Sequence, residues 1–200
     1  MSVVGPENRS PLSPTEETLL RDQVLPILRT ILPEGFVARS LDAIREAAEQ
    51  SKKKHGMGFG GLLPSSGQIG ISPITPKDYN LAPTWTFRTN WASTTWQTLV
   101  NAQTTSKYTH VVVLAYENLE PTPRTLALKE AVGGSEHPVI DLTEVLKSHR
   151  QIQPIEPYII QPISTYTVEA FVQVAGYDCL KPWGFTVAPY AYLISKTFIA

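Results

Sequence analysis

Apolar residues near the start of the chain recur at the three- and four-residue spacing of an amphipathic helix. The stripe consists of Leu20, Val24, Ile27, Leu28 and Ile31. Just before it, Ser13-Pro14-Thr15-Glu16 offers a capping serine, a proline at the first helical position and a glutamate three positions after the serine. The pattern predicts a helix that begins after Ser13, ends near Pro33 and is kinked or split at Pro26, which has no amide proton to donate.

A second helix is predicted from Ser40 to Gly56, with a narrow apolar face. That face consists of Leu41, Ile44, Ala47 and Ala48. Residues 52–54 are three lysines in its last turn, where positive charge interacts favourably with the helix dipole, and Gly56 supplies the stop. A solvated helix end explains the lysines, and a contact with phosphate or nucleic acid is the alternative.

Two segments have no regular period. Residues 1–13 are polar and contain proline, which predicts an extended arm before the first helix. Residues 61–83 are rich in Gly, Ser and Pro and are interpreted as a connector. Isolated apolar residues in and just before this connector distinguish it from a flexible linker. They are Met57, Phe59, Leu62, Leu63, Ile69, Ile71 and Ile74.

From residue 84 onward, apolar and polar residues alternate with the period of two that is typical of half-buried strands. The longest alternating runs span 108–116, 166–174 and 185–194. Shorter runs span 84–88, 94–100, 124–130, 138–142 and 155–161, and a capped helix is predicted over 141–148. Eight short strands separated by Gly and Pro turns predict an antiparallel β-sandwich, with a jelly roll as the preferred topology and an immunoglobulin-like sandwich as the alternative.

Several of these strands are apolar or aromatic on both faces. The second apolar face includes Val111, Val113, Tyr190, Tyr192 and Ile194. A sandwich of two layers leaves one face of each sheet in water, so a second apolar face needs a cover. Either the N-terminal helices or a second subunit provides it.

Composition places the boundaries between these parts. Charged residues are concentrated in the first 60 positions, whereas all four Trp and all eight Tyr follow them. Thr, Val, Tyr and Trp favour strands. The sequence therefore predicts a mainly β protein with an N-terminal arm of two helices over 1–60, a connector over 61–83 and a β-sandwich domain over 84–200.

The overall composition excludes several classes of protein. The chain of 200 residues is 42% hydrophobic and 18% charged with a net charge of −1, which gives no strong nucleic-acid signal. Its single cysteine excludes an internal disulfide framework and a cysteine-based zinc site. We expect no signal peptide, because no apolar run follows a basic start, and no transmembrane helix.

Candidate chemistry is sparse. Residues 56–61 match the dinucleotide pattern G-x-G-x-x-G, but a helix rather than a strand precedes them. The four histidines do not have the spacing of metal ligands on one strand or helix, although a site assembled from distant histidines stays open. Cys179 lies next to Asp178, which disfavours the thiolate, and no G-x-S-x-G is present. We therefore assign no catalytic, cofactor-binding or metal-binding residue and do not expect an enzyme.

The combination of an arm, a connector with apolar residues and a low-charge sandwich is typical of subunits that build virus shells. The expected function is that of a structural virion subunit, in a capsid or a tail-associated part, which forms a homo-oligomer such as a trimer. Its partners would be itself and other structural proteins of the assembly, and it would be found in the virion, or in the cytoplasm before assembly. Candidate interface residues are Leu20, Val24, Ile27, Leu28, Ile31, Phe59, Leu62, Tyr190, Tyr192 and Ile194.

A carbohydrate-binding or adhesive module is the alternative function. Jelly rolls also occur in lectins, and flat aromatic side chains can stack on sugar rings. The candidate stacking residues are Trp91 and Trp96.

Overall fold

The computed structural model describes residues 11–81, 88–92, 94–120, 122, 124–143 and 152–197. Most of the arm predicted over 1–13 lies outside the described residues. The same is true of most of the strand predicted over 84–88 and of the helix predicted over 141–148.

Helix α1 spans Pro14–Ile31 and begins where the sequence predicts. The capping box is complete, because Ser13 N donates to Glu16 Oε2 (2.8 Å) and Glu16 N donates to Ser13 Oγ (3.4 Å). The helix is not split at Pro26. The carbonyl that loses its usual donor belongs to Asp22, which is exposed, so water can satisfy it.

Helix α2 spans Glu34–His55 and begins earlier than the predicted Ser40. The additional turn adds the buried Val37 to the apolar face formed by Leu41 and Ile44. The end of the helix is as predicted, since Gly56 adopts φ of 62° and its amide donates to Lys52 O.

Eleven strands, a 3-10 helix and a third helix follow among the described residues. The longer strands are β2 (Gln68–Pro73), β4 (Trp96–Thr104), β5 (His110–Asn118), β6 (Thr125–Val132), β9 (Ile152–Ile160), β10 (Thr165–Val172) and β11 (Gly176–Pro189). The shorter ones are β1 (Gly58–Phe59), β3 (Arg88–Trp91), β7 (Ser135–Glu136) and β8 (Ile140–Asp141). The 3-10 helix spans Pro76–Tyr79, and helix α3 spans Tyr190–Thr197.

The strands form two sheets. The six-stranded sheet has the order β1-β2-β11-β5-β9, with β3 paired to β11, and the five-stranded sheet has the order β4-β10-β6-β7, with β8 paired to β6. Pairing is antiparallel except between β1 and β2. The protein is therefore mainly β with an N-terminal helical region, as predicted.

The two helices cover one face of the six-stranded sheet. Side chains of α1 and α2 pack in one core cluster with Ile69 and Ile71 of β2, Val112 and Leu114 of β5, and Val187 of β11. The chain's own helices thus cover the face that carries Val112, Leu114 and Val187. This is one of the two covers that the sequence left open.

The opposite face of the six-stranded sheet packs against the five-stranded sheet. A second core cluster combines Val111 and Val113 of β5 with Leu128 of β6 and with Val168 and Ala170 of β10. Helices, first sheet and second sheet are therefore stacked as three layers, with a separate core between each pair.

Strand β2 lies inside the segment predicted as a connector. Ile69 and Ile71, two of its isolated apolar residues, are completely or almost completely buried, and β2 pairs with β11 in the six-stranded sheet. Within β2, Ile69 and Ile71 alternate with Gly70 and Ser72. The run is short, and the Gly, Ser and Pro residues around it are typical of a connector, so the alternation did not mark it as a strand.

The strand predicted over residues 185–194 was wrong in its second half. Strand β11 ends at Pro189, and Tyr190, Tyr192 and Ile194 belong to helix α3. A short run of consecutive apolar residues fits either period, so alternation could not separate helix from strand there. The helix places Leu193 and Lys196 on its buried side, three residues apart.

Candidate functional site

The predicted interface residues on α1 are packed in the chain's own core. Leu20, Val24 and Leu28 are completely buried, and Ile27 and Ile31 are partly buried against the same core. Phe59 is 3% exposed and Leu62 packs beside it. In this conformation the stripe lies in a core that it shares with α2 and with apolar residues of β2, β5 and β11.

The two predicted stacking residues lie in different environments. Trp91 is 3% exposed and belongs to the core between the sheets, so its ring is not a surface platform. Trp96 is half-buried on the outer side of the five-stranded sheet. Only Trp96 of this pair is placed to contact a ligand or another protein.

Alternation along β10 creates the outer surface on which Trp96 lies. Tyr166, Val168 and Ala170 point into the core, so Glu169 and Phe171 point outward. The ladder sets Trp96 of β4 opposite Phe171, and sets Lys129 of β6 opposite Glu169. We call Trp96, Lys129, Glu169 and Phe171 the outer sheet face.

The outer sheet face combines aromatic rings with both signs of charge. The ring centroids of Trp96 and Phe171 are 5.5 Å apart, and Lys129 Nζ lies 4.3 Å from the centroid of the Trp96 ring. Phe171 is 37% exposed. Such an arrangement of aromatic, cationic and acidic side chains is suited to binding a protein surface or a sugar.

A buried carboxyl group lies directly behind this face, between the sheets. Glu130 is 2% exposed, and its Oε1 accepts a hydrogen bond from the Tyr166 hydroxyl (2.9 Å). Tyr166 also contacts the hydroxyls of Tyr116 (2.9 Å) and Tyr158 (3.3 Å). Burial raises the pKa of Glu130 to about 7, although hydrogen bonds from Tyr158 and Tyr166 lower it part of the way back.

Glu130 was not among the predicted site residues, although the sequence contains a signal for it. In the predicted strand over 124–130, Leu126, Leu128 and Glu130 recur at every second position. The glutamate thus continues a row of apolar residues, and Leu128 is completely buried in the same core. A glutamate within such a row is a candidate for a buried acid.

A buried charged pair fixes helix α3. Lys196 Nζ lies 2.8 Å from Asp78 Oδ2 and also donates to Pro73 O (2.9 Å). Tyr192 donates to Asp78 Oδ1 (3.3 Å), and the amide of Thr75 donates to Asp78 Oδ2 (2.7 Å). Asp78 is therefore occupied by partners from two segments, the loop before the 3-10 helix and helix α3, which is a structural arrangement.

The remaining motif residues also have internal partners. Within the G-x-G-x-x-G segment, Phe59 N donates to Glu16 Oε1 (2.6 Å). Leu62, the residue that follows the segment, donates its amide to Gln23 Oε1 (2.7 Å). Among the described residues no group of three His, Cys, Asp or Glu side chains is arranged to hold a metal ion. Cys179 is buried.

No family model matches the chain, and no curated protein matches it in sequence. Within the part of the chain that the structure describes, no helix is long and apolar enough to cross a membrane.

Proposed function

We propose that the protein is a structural subunit that assembles with copies of itself in a virus particle, around a jelly-roll core. The observation that carries the proposal is the nesting of the strand pairs. In chain order, β2 pairs with β11, β4 with β10, β5 with β9, and β6 with β7 and β8. First-with-last pairing repeated inward is the plan of a jelly roll, a fold used in viral capsids.

The position of the helices supports different roles for the two sheets in assembly. The chain's own helices cover the outer side of the six-stranded sheet, so a neighbouring subunit is not needed there. The five-stranded sheet presents the outer sheet face, which includes the exposed ring of Phe171. We assign the contact between copies to this face.

The test is the native mass measured by light scattering after size exclusion. We expect the native mass to be a discrete multiple of the 22.1 kDa chain. We expect to find the protein in the virion or, before assembly, in the cytoplasm. The Phe171→Asp variant should reduce the mass, and the exposed control Ser135→Asp on β7 should not. A wild-type monomer at high concentration contradicts the proposal, and so does an unchanged assembly of Phe171→Asp.

The arm is tested separately by removing residues 1–10. This truncation leaves the Ser13 capping box and the buried Leu12 in place, and we expect the described fold to be retained. If the arm contacts neighbours, the truncated chain forms a smaller or less stable assembly than the full chain. An identical mass and dissociation profile would confine assembly to the sandwich.

Carbohydrate binding by the outer sheet face is a second candidate, favoured by the half-buried ring of Trp96 on the same face as Glu169. An aromatic ring that shares a face with a carboxylate is suited to stacking on a sugar, while the carboxylate accepts hydrogen bonds from its hydroxyl groups. A glycan array should then give hits that Trp96→Ala abolishes. Tyr177→Ala, at an aromatic residue that is 68% exposed elsewhere, should retain them. An array without hits removes this candidate.

A further inference from the structure

Four segments of the chain bring aromatic rings and lysines together at one end of the molecule. They are the C-terminal end of α2, the 3-10 helix, the loop between β4 and β5, and helix α3. We call the resulting surface the basic-aromatic row. It consists of His55, Tyr108 and Tyr192 with Lys54, Lys77 and Lys107.

The rings form a continuous series. The ring centroids of His55 and Tyr108 are 6.3 Å apart, and those of Tyr108 and Tyr192 are 6.5 Å apart. Tyr108 is 43% exposed, although it is a large aromatic residue. The hydroxyl of Tyr192 is held by Asp78, which fixes one end of the series.

Lysines lie along the series of rings. Lys107 Nζ is 5.0 Å from the centroid of the Tyr108 ring, and Lys77 Nζ is 6.0 Å from that of Tyr192. Lys54 is exposed next to His55. The amine of Lys77 is oriented by a hydrogen bond to Ser195 O (3.0 Å).

The electrostatic field at this end is positive. His110 is buried beneath the row, and its pKa falls to about 3, first through burial and then through the charges of Lys54 and His55. The nearby Asp78 does not cancel this field, because its charge is matched by Lys196 at 2.8 Å. The surface therefore offers cations to a polyanion while the net charge of the whole chain stays near zero.

We propose that the basic-aromatic row binds single-stranded nucleic acid, with lysines on the phosphates and Tyr108 stacked on a base. Lysine contacts with phosphate supply affinity without sequence preference, and aromatic rings stack on every base. An anionic membrane would be attracted by the same lysines, but an exposed tyrosine ring between them is suited to stacking. The inference rests on the proposed function, since the row would be the genome-contacting surface of the subunit.

The test is fluorescence anisotropy of a labelled 20-nucleotide oligothymidylate with the full chain at several salt concentrations. We expect binding at low salt that weakens as salt rises. The double variant Lys54→Glu/Lys107→Glu should bind at least tenfold more weakly. Its slope of log affinity against log salt should be about 1.4 smaller, for two lost phosphate contacts on a single strand.

Two further variants make the result specific. Arg21→Glu/Arg29→Glu makes the same change of charge on the exposed side of α1 and should retain wild-type affinity. Tyr108→Ala should weaken binding by roughly 5- to 150-fold without changing the salt slope, because stacking involves no counterion release.

Three outcomes overturn the inference. They are a wild-type chain that does not bind the oligonucleotide at low salt, a lysine double variant that binds as well as its arginine control, and binding to phosphatidylserine vesicles without binding to the oligonucleotide. Native mass is measured in parallel on every variant. A monomeric chain that still binds through the row would overturn the proposed assembly alone.

Discussion

Glu130 is a carboxyl group whose buried environment differs strongly from that of a free side chain. It is enclosed between the sheets, its Oε1 is held by Tyr166, and its Oε2 has no hydrogen-bond partner among the described residues. Burial disfavours the charged carboxylate, so the folded protein binds a proton there more tightly than the unfolded chain does.

This difference predicts how stability depends on pH. The contribution of Glu130 is fully present below its unfolded pKa of 4.5 and is lost as pH rises through the folded pKa of about 7. The loss amounts to about 3 kcal/mol of unfolding free energy relative to Glu130→Gln, which has no charge to bury. Urea denaturation at pH 5, 6, 7 and 8 measures it.

The control for this prediction is Glu169→Gln on the outer sheet face. This variant makes the same Glu-to-Gln change at a residue outside the core, and it should keep the wild-type slope of stability against pH. Parallel pH profiles for the wild type and Glu130→Gln would show that the buried acid does not titrate in this range.

At the scale of elements, local sequence explains where helices begin and end, and distant contacts explain the strands. The Ser13 capping box and the left-handed Gly56 involve only neighbouring residues, and both were predicted. Strand β11 depends instead on a close approach to β5. Gly184 has φ of 156°, and a Cβ atom there would lie 1.9 Å from Val112 O.

Gly184→Ala is therefore expected to destabilise the protein strongly. The added methyl group cannot fit without displacing the backbone of β5, and both strands lie in the middle of the six-stranded sheet. The cost should be about 3 kcal/mol or more, measured as a shift of the urea midpoint at constant slope. Gly35→Ala is the matched control, since nothing lies within 4 Å of its Cβ and it should be neutral or stabilising by up to about 1 kcal/mol. Equal midpoints for the two variants would contradict this packing.

At the scale of the whole molecule, the helices are a structural layer. Their apolar face and the outer face of the six-stranded sheet share a core to which Leu20, Ile44, Leu114 and Phe185 all contribute. The predicted segments 1–60 and 84–200 are thus packed together, although their compositions differ.

Removal of residues 1–60 is therefore expected to expose the face of the sheet and produce insoluble or dye-binding protein. Removal of residues 1–10 should leave solubility and the thermal midpoint within a few degrees of the full chain. The measurement is binding of a hydrophobic dye together with far-ultraviolet circular dichroism. A soluble, folded chain lacking residues 1–60 would contradict the three-layer arrangement.

The sequence by itself determined the features that depend on short-range hydrogen bonds and on hydrophobic period. These are the start of α1, the end of α2 and most of the long strands, including the alternation of Tyr166, Val168 and Ala170 along β10. Such features need only neighbouring residues, so a single sequence carries them.

Only the tertiary structure decided which faces are covered and what each exposed residue can contact. It placed β2 inside the sheet, turned Tyr190, Tyr192 and Ile194 into a helix and buried Trp91. It also brought Lys54, Lys107 and Lys77 to one surface from positions far apart in the chain. Burial and electrostatic fields are sums over residues that are distant in sequence, which no local pattern records.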